Sequence, residues 1–283
     1  MTETIALFGA AGKMGTRIWE AMKGNGAYRM LCVEAGEVGQ ARLRERGIAP
    51  AQSDEAARQA DVVVLAIPDK LIGLVAEEIV PLMRSGAMVI CLDPAAPYSG
   101  DLPGRLDITY FVVHPCHPPI IKEETDPAAR ADFFGGVAQQ SIVCALMQGP
   151  EEDYERGVGI ARQMFAPVLR AHRVTVEQMA ILEPALTETV ILTCMMVIRE
   201  AVDEAIRCGV PEQAALDFAL GHMGVNVGML FGYVDVIPSD GAKMAAKRGR
   251  EAIFQEDWKK VFKLENVIRE VKAITEGTAV KKS

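Results

Sequence analysis

The stretch IALFGAAGKMGTRIWEAM, residues 5–22, joins a short apolar run to an amphipathic segment through three glycines. Gly9, Gly12 and Gly15 have the spacing GxxGxxG, and they follow a predicted strand and open a predicted helix. In this context Gly9 permits a tight turn, Gly12 lets the backbone approach a pyrophosphate, and Gly15 lets the helix pack close to the sheet. The stretch therefore predicts the first strand and helix of a Rossmann domain that binds a dinucleotide. A glycine-rich turn without a ligand is the alternative.

The phosphates of such a dinucleotide lie at the helix N-terminus, where backbone N–H groups have no partner within the helix. We expect Lys13 and Met14 to supply these groups. Glu34 ends the second predicted strand, nineteen residues after Gly15, and a carboxylate there accepts hydrogen bonds from the adenosine ribose and repels a 2′-phosphate. No basic residue occurs in AGEVGQA, residues 35–41. The pattern predicts NAD rather than NADP, unless Glu34 is a solvated loop acid.

Short apolar runs alternate with helical patterns through the first part of the chain. The runs are continuous in Val, Ile and Leu, which is typical of strands in a sheet that is covered on both faces. A β-α-β-α order predicts a mostly parallel sheet with right-handed crossovers. The runs are IALFG (5–9), RMLCVE (29–34), DVVVLAI (61–67), AMVICLD (87–93), ITYFVV (108–113) and SIVCALM (141–147), with helical patterns at 13–24, 70–83 and 151–165.

The pattern becomes helical after residue 174. Thr175 and Gln178 match a capping box, and a helical pattern follows over 176–208, interrupted by Pro184. Further helices are predicted at 212–231, 240–256 and 258–276. The sequence thus predicts an α/β protein, with a doubly wound, mostly parallel Rossmann sheet over 1–174 and an all-α domain over 175–283. The second domain would bind substrate and dimerise.

Composition excludes several classes of protein. The chain has 283 residues and a formal net charge of −8 at pH 7, and an acidic balance argues against nucleic acid as the main partner. Its six cysteines form no CxxC pair, as expected for free thiols in a reducing compartment. The N-terminus lacks the features of a signal peptide, and no uninterrupted apolar run reaches the ~18 residues of a bilayer span. We expect a cytoplasmic protein that does not contact membranes.

Two further predicted strands end at the same edge of the sheet. The segment AIPD puts Pro68 and Asp69 after the third strand, and LDPAAPYSG, residues 92–100, follows the fourth. Ligands of open parallel sheets bind beyond the carboxyl ends of the strands. We therefore expect Pro68 and Asp69 to contact the cofactor, although capping of the next helix is an alternative role for Asp69.

The segment FVVHPCHPPI, residues 111–120, puts His114 and His117 among three prolines, directly after a strand. The prolines exclude a helix, so the two imidazoles lie on a stiff loop near the expected position of the nicotinamide. Histidine suits proton transfer near neutral pH and the ligation of divalent metals. We expect one of these roles for at least one of the two residues. A structural pair that only hydrogen-bonds the loop is the alternative.

Glu183 precedes Pro184 in ILEPALTETV, an otherwise apolar helical run over residues 181–190. The proline predicts a kink in the helix, and a carboxylate among apolar neighbours is costly unless it has a partner. We expect Glu183 to reach His114 or His117, directly or through a metal. An acid exposed at the kink is the alternative.

A Rossmann domain followed by an all-helical domain resembles the superfamily of 6-phosphogluconate and 3-hydroxyacid dehydrogenases over nearly the whole chain. Those enzymes usually have a catalytic lysine on the first long helix of the second domain, whereas residues 176–206 contain no lysine. This departure favours the histidine loop and Glu183 as the source of a base. Five blocks are similar to the family of D-apionate oxidoisomerases, which is related in domain plan to ketol-acid reductoisomerase: GAAGKMG (9–15), LDPAAPYSG (92–100), HPCHPP (114–119), ALMQGPEE (145–152) and ILEPAL (181–186).

The resemblance implies NAD-dependent oxidation of the C2 hydroxyl of a branched 2,3-dihydroxy sugar acid. Migration of a hydroxymethyl group from C3 to C2 would then give a 3-oxo acid. A divalent metal, zinc or magnesium, would polarise the C2 carbonyl. The resemblance suggests His114 and Glu183 as metal ligands, with His117 as a ligand or base and Glu183 also catalytic.

Two other functions remain open at the level of sequence. One is a plain 2- or 3-hydroxyacid dehydrogenase without rearrangement, and the other is a binding protein that senses NAD. Fold alone does not separate them, because function depends on the site. The apolar density at 185–198 and 216–231 predicts a homodimer, since one small helical domain does not bury so much apolar surface.

Overall fold

The computed structural model describes residues 2–277 and contains a seven-stranded sheet in the order β2-β1-β3-β4-β5-β6-β7. Strands β1 to β5 are parallel, β6 is antiparallel to β5, and β7 is parallel to β6. The predicted class, α/β with a mostly parallel sheet, is confirmed. The strands are β1 Glu3–Phe8, β2 Tyr28–Val33, β3 Val62–Leu65, β4 Met88–Cys91, β5 Thr109–Pro115, β6 Gln140–Gln148 and β7 Val168–Arg173.

Alternate residues of each strand enter two separate hydrophobic cores, because successive side chains of a strand point to opposite faces. Ala6 and Phe8 belong to one core, and Ile5 and Leu7 belong to the other. Each core is closed by helices, which is the doubly wound arrangement. The helices of this part are α1 Lys13–Met22, α2 Glu37–Glu45, α3 Ser53–Gln59, α4 Asp69–Ile79, α5 Ala95–Ser99, α6 Pro127–Ala131 and α7 Glu152–Met164.

Strand β7 was not among the predicted strands, and the reason is its place in the sheet. It lies at the edge, and most of its side chains are exposed. An edge strand of this kind has no continuous apolar run, so VLRAHR gives little signal. The antiparallel β6 follows a long loop that contains only the short helix α6 rather than a full crossover helix.

The chain forms two compact units by its internal contacts. Among the described residues, the first comprises 2–183 and 267–277, and the second is Pro184–Asn266. The division predicted at residue 174 marks the end of the last strand and stays a prediction. The second unit is helical, with α10 Glu212–Leu230, α11 Asp240–Ile253 and a 3₁₀ turn at Trp258–Phe262, and α12 Leu264–Glu276 follows it.

The long helix Val176–Arg207 changes its winding near Pro184. Its components are α8 Val176–Ala180, a π-helical segment Ile181–Leu192 and α9 Thr193–Arg207. The predicted capping box of Thr175 and Gln178 is present at its start. The predicted kink at Pro184 is replaced by a π segment, in which the hydroxyl of Thr189 donates to the carbonyl of Pro184 at 2.7 Å. π segments inside α-helices are frequent at functional sites.

By length and composition, the same helix is long and apolar enough to cross a membrane, with a mean hydropathy of 1.7 over an 18-residue window. Charged residues such as Glu183 and Glu188 interrupt the apolar stretch of this helix, so no uninterrupted apolar run predicted a span from the sequence. Only 11% of the apolar window is buried.

Helix α7 packs against the sheet through Gly157. A Cβ added at Gly157 would lie 2.6 Å from the ring of Phe111, which is fully buried. At Gly159, on the same helix, no described heavy atom lies within 4 Å of the added Cβ.

We predict that Gly157→Ala lowers the free energy of unfolding by about 1–3 kcal/mol, because the ring has no room to move. Gly159→Ala should leave the free energy of unfolding unchanged or raise it by about 0.5–1 kcal/mol, because alanine favours the helix. Urea unfolding followed by circular dichroism measures both. Equal midpoints for the two variants would contradict the packing described here.

Candidate active site

A cavity of about 670 Å³ lies at the carboxyl ends of β1, β2 and β3. Its size is within the range of small-molecule sites. Of the residues predicted to bind the cofactor, Gly9, Gly12, Glu34 and Pro68 line it. The remaining four, Lys13, Met14, Gly15 and Asp69, are not among its described lining residues, and they lie at the first turns of α1 and α4.

The glycine loop is too crowded for side chains at two of its three positions. A Cβ on Gly9 would lie 2.2 Å from the carbonyl oxygen of Ala66, and Gly9 has a φ of +76° that favours glycine. A Cβ on Gly15 would lie 2.1 Å from the carbonyl oxygen of Gly9. Gly12 directly precedes α1, and its backbone is extended. As a glycine it has no side chain that could cap the helix. The N-terminus of this ten-residue helix is therefore open to an anion.

Glu34 lies directly after β2, and its side chain contacts the glycine loop. Its Oε1 accepts a hydrogen bond from the backbone N–H of Ala11 at 2.6 Å. The other carboxylate oxygen packs against Gly39, where a Cβ would approach it to 2.6 Å. Arg42 of α2 lines the same cavity. Arg42 directly follows the segment AGEVGQA, residues 35–41, on which the prediction of NAD rests. Its positive charge was therefore not considered in that prediction.

Asp93, His114 and Glu183 form a cluster in which one ligand atom from each lies within 4.8 Å of the others. Nε2 of His114 is 3.4 Å from Oε2 of Glu183, and Nδ1 of His114 is 3.8 Å from Oδ2 of Asp93. The predicted contact between Glu183 and the histidine loop is thus present in the structure. Asp93 was not among the predicted ligands, although it lies just after β4 in a segment already expected to face the cofactor.

Backbone groups orient the members of this cluster. Nδ1 of His114 lies 2.8 Å from the carbonyl oxygen of Leu92, an acceptor, so Nδ1 carries the proton and Nε2 carries the lone pair. The backbone N–H of Ala95 donates to Oδ1 of Asp93 at 2.8 Å, which leaves Oδ2 toward His114. Two acceptors, Nε2 of His114 and Oε2 of Glu183, then face each other. A proton or a metal ion between them removes the repulsion.

The electrostatics of the cluster also favour a cation. Burial, together with the neighbouring Asp69 carboxylate, raises the pKa of Asp93 to about 7. Burial likewise raises the pKa of Asp69. Two carboxylate oxygens and one imidazole nitrogen are a donor set that divalent zinc accepts. The residues present therefore fit a divalent metal, which would be held by Asp93, His114 and Glu183.

His117 lies beside this cluster but is not one of its three members. Its ring centroid is 6.3 Å from that of His114, and its Nδ1 is 2.8 Å from the carbonyl oxygen of Phe134. Nδ1 therefore donates, and Nε2 is left as an acceptor. Burial lowers the pKa of His117, and the nearby His114 and Arg17 lower it further. A neutral imidazole with Nε2 available is suited to act as a base.

Two family models of known proteins match most of the chain. A family model described as the NADPH-binding domain of acetohydroxy acid isomeroreductase matches residues 1–115. A second, described as the C-terminal part of decarboxylating phosphogluconate dehydrogenase, matches residues 122–275. Both fit the dehydrogenase superfamily that the sequence resembles.

Two curated relatives and one solved structure match almost the whole chain. A D-apionate oxidoisomerase of Cupriavidus necator is 48% identical over 277 residues, covering 97% of this chain and 100% of the relative. One from Rhizobium rhizogenes is 49% identical over 273 residues, covering 96% and 99%. A crystal structure from Cupriavidus necator, described as a semialdehyde dehydrogenase NAD-binding protein in complex with calcium and NAD, has a TM-score of 0.94 at 48% identity. It covers 97% of this chain and 100% of that one.

We predict that chelator-treated protein binds one zinc ion per chain and that His114→Ala abolishes this binding. His172→Ala is the matched control, because His172 is an exposed histidine on β7. Calorimetric titration measures both. Binding that survives in His114→Ala, or that is lost in His172→Ala, would contradict the cluster as the metal site.

The affinity should also depend on pH. Below pH 7 the metal competes with a proton for Asp93, whose pKa is raised to about 7. Affinity should therefore rise with pH through this range, by as much as about tenfold per unit below the pKa.

Proposed function

Because the chain belongs to the D-apionate oxidoisomerase family, we propose that it oxidises D-apionate with NAD and rearranges the product to a 3-oxo acid. The observation that supports this best is the Asp93–His114–Glu183 cluster beside the dinucleotide cavity, at one edge of the sheet. Oxidation alone needs the cavity and a base. The rearrangement also needs an electrophile at a carbonyl oxygen, which a plain dehydrogenase does not require.

NAD fits the cavity on three observations. The glycine loop is crowded enough at Gly9 and Gly15 to exclude side chains, as a pyrophosphate-binding turn requires. The N–H groups of Lys13 and Met14 are in the first turn of α1, where an anion is stabilised. Glu34 lines the cavity at the end of β2, where a ribose hydroxyl is expected. The Cupriavidus necator structure described as a complex with NAD supports this assignment.

The oxidation step removes a hydride from C2 of the substrate and a proton from its C2 hydroxyl. His117 is oriented to accept that proton, because its Nδ1 is held by the carbonyl of Phe134 and its Nε2 carries the lone pair. Its lowered pKa keeps it neutral near pH 7. We therefore propose His117 as the general base.

In the rearrangement, the hydroxymethyl group moves with its bonding electrons from C3 to C2. The C3 hydroxyl loses a proton and becomes a ketone, and the C2 oxygen gains a proton, so this step is redox-neutral. A divalent cation bound by Asp93, His114 and Glu183 would supply the positive charge that polarises the C2 carbonyl. The Cupriavidus necator structure is described as a complex with calcium, which supports binding of a divalent cation, and the histidine donor of the cluster favours zinc over magnesium. Glu183 is proposed both as a ligand and as a second proton acceptor for the substrate hydroxyls.

We predict NADH formation when the protein is mixed with D-apionate and NAD, with a product whose ketone lies at C3. Treatment with a chelator should abolish turnover, and a divalent ion should restore it. Absorbance at the NADH band gives the rate, and carbon NMR of the product locates the ketone. His114→Ala should lose turnover, and His172→Ala, at an exposed histidine of β7, should keep it.

The same assay separates the competing functions. A simple 2-oxo acid, formed equally well with chelator, would indicate a plain hydroxyacid dehydrogenase. A faster reaction with NADP than with NAD would indicate that Arg42 rather than Glu34 decides the cofactor, as the NADPH-binding description of the N-terminal family model would suggest. Tight NAD binding without turnover of any hydroxy acid would favour a sensor.

We also propose a cytoplasmic homodimer formed through the helical unit. Large apolar side chains on α9 and α10 are exposed in the single chain, including Met196, Phe218 and Leu230. Among the described residues, α9 has no buried side chain at all. A second copy of the chain would cover this surface, because contiguous exposed apolar side chains often mark protein–protein contacts.

Sedimentation at micromolar concentration should give the mass of two 30.6 kDa chains. Leu230→Glu should shift the mass toward one chain, because it inserts a charge into the proposed interface. Leu106→Glu, at an exposed apolar residue of the first unit, is the control and should not change the mass. A single-chain mass for the unmodified protein would remove the dimer.

A further inference from the structure

The carbonyl oxygen of Phe134, in the loop that follows His117, accepts two hydrogen bonds. One comes from Nδ1 of His117 at 2.8 Å, and the other comes from Nη1 of Arg17 at 2.7 Å. The imidazole of His117 also packs against the ring of Phe134, with centroids 5.4 Å apart. His117 and Arg17 are thus joined through a single residue.

Arg17 is an unusual residue to find at this place. It lies on α1 with only 9% of its surface exposed. Among the residues that the structure describes, its Nε and Nη2 atoms have no hydrogen-bond partner. Its guanidinium carbon lies over two phenylalanine rings, Phe134 at 5.3 Å and Phe165 at 5.4 Å. A buried guanidinium with one hydrogen bond costs stability, so packing alone does not explain it.

The loop leaves space for the guanidinium of Arg17, because a glycine lies where the two meet. Gly135 has a φ of +100°, and a Cβ there would lie 2.2 Å from Nη2 of Arg17. The carboxylate of Asp132 accepts hydrogen bonds from four backbone N–H groups, those of Phe134, Gly135, Val137 and Ala138. Burial alone would raise the pKa of Asp132, but these four donors together lower it to about 2. The hydrogen bonds of Asp132 and the hydrogen bond from Arg17 therefore both fix the position of the Phe134 carbonyl.

His117 itself has a strained backbone. Within residues 2–277 it is the one residue other than glycine with a positive φ, at +59°. Such a conformation costs free energy and persists only when its surroundings hold it, most often at functional sites. The hydrogen bond to Phe134 and the contact between the two rings are what hold His117 here.

We propose that Arg17 is a positioning residue for His117: it holds the Phe134 carbonyl where that oxygen binds Nδ1–H and directs Nε2 toward the substrate. This proposal rests on the role of His117 as a base in the proposed function. In this proposal Arg17 acts on His117 rather than on the substrate. Its effect passes through one carbonyl oxygen, in the way that outer partners orient catalytic imidazoles.

Arg17→Met tests the proposal, because methionine keeps the bulk of the side chain and removes the donor. The first readout is the tautomer of His117 in the free protein, measured from the ¹⁵N chemical shifts of its ring. The unmodified protein should show a proton on Nδ1, and Arg17→Met should show a mixture of the two tautomers. This readout needs no substrate, so it remains decisive even if D-apionate is not turned over.

The second readout is the rate with D-apionate. Arg17→Met should lower kcat by about 10–100-fold, as loss of an outer partner typically does, with KM for NAD unchanged. Arg17→Lys retains a donor that can reach the carbonyl and should recover most of kcat and the Nδ1–H tautomer. Arg162→Met, an exposed arginine on α7 that also points to a backbone carbonyl, is the matched control and should change neither.

An unchanged tautomer in Arg17→Met would overturn the proposal, whatever happens to kcat. A changed tautomer with an unchanged kcat would also overturn it, because the positioning would then serve no chemistry. If Arg17→Met does not fold, Arg17→Gln replaces it, since its amide is too short to reach the carbonyl, and the same outcomes apply. If the unmodified protein does not act on D-apionate, the proposed function fails while the tautomer result still decides the role of Arg17.

Discussion

Parallel pairing of the first five strands is the constraint on which the candidate site depends. Because β1 to β5 run in the same direction, their carboxyl ends lie at one edge of the sheet. Gly9, Glu34 and Asp69 follow the first three strands, Asp93 follows the fourth, and His114 lies near the end of the fifth. Residues far apart in sequence therefore meet because the sheet aligns the segments that contain them.

The concentration of acids at that edge gives the site its chemistry. Asp69, Asp93 and Glu183 lie near His114, and burial raises the pKa of Asp69 and of Asp93, so that their negative charges are harder to maintain. The hydrogen bond from His114 to the Leu92 carbonyl turns a lone pair toward Glu183, which adds to the imbalance. In the proposed function a bound cation would offset these costs, and its charge would polarise the carbonyl of the rearranging substrate. The stability and the reactivity of the proposed site would then have a common electrostatic origin.

Local signals were enough to predict most of the fold and part of the site. The glycine spacing, the apolar runs and the prolines around the histidines all act over a few residues, so the Rossmann class and the contact between Glu183 and His114 could be predicted. Asp93 was harder, because only the folded sheet brings it next to His114. Arg17 gave no signal, since an arginine in an amphipathic helix normally faces solvent. The strand β7 was not predicted, because its place at the edge of the sheet leaves it without a continuous apolar run. The π segment was not predicted, because it depends on how the helix winds around Pro184.

Diffraction from crystals grown with NAD and zinc, recorded at the zinc absorption edge, tests the central claim most directly. The account predicts one strong anomalous peak per chain within bonding distance of Asp93, His114 and Glu183, with NAD in the cavity lined by Gly9, Gly12 and Glu34. A peak at other residues, with Nε2 of His114 bonded to a protein group instead, would contradict it.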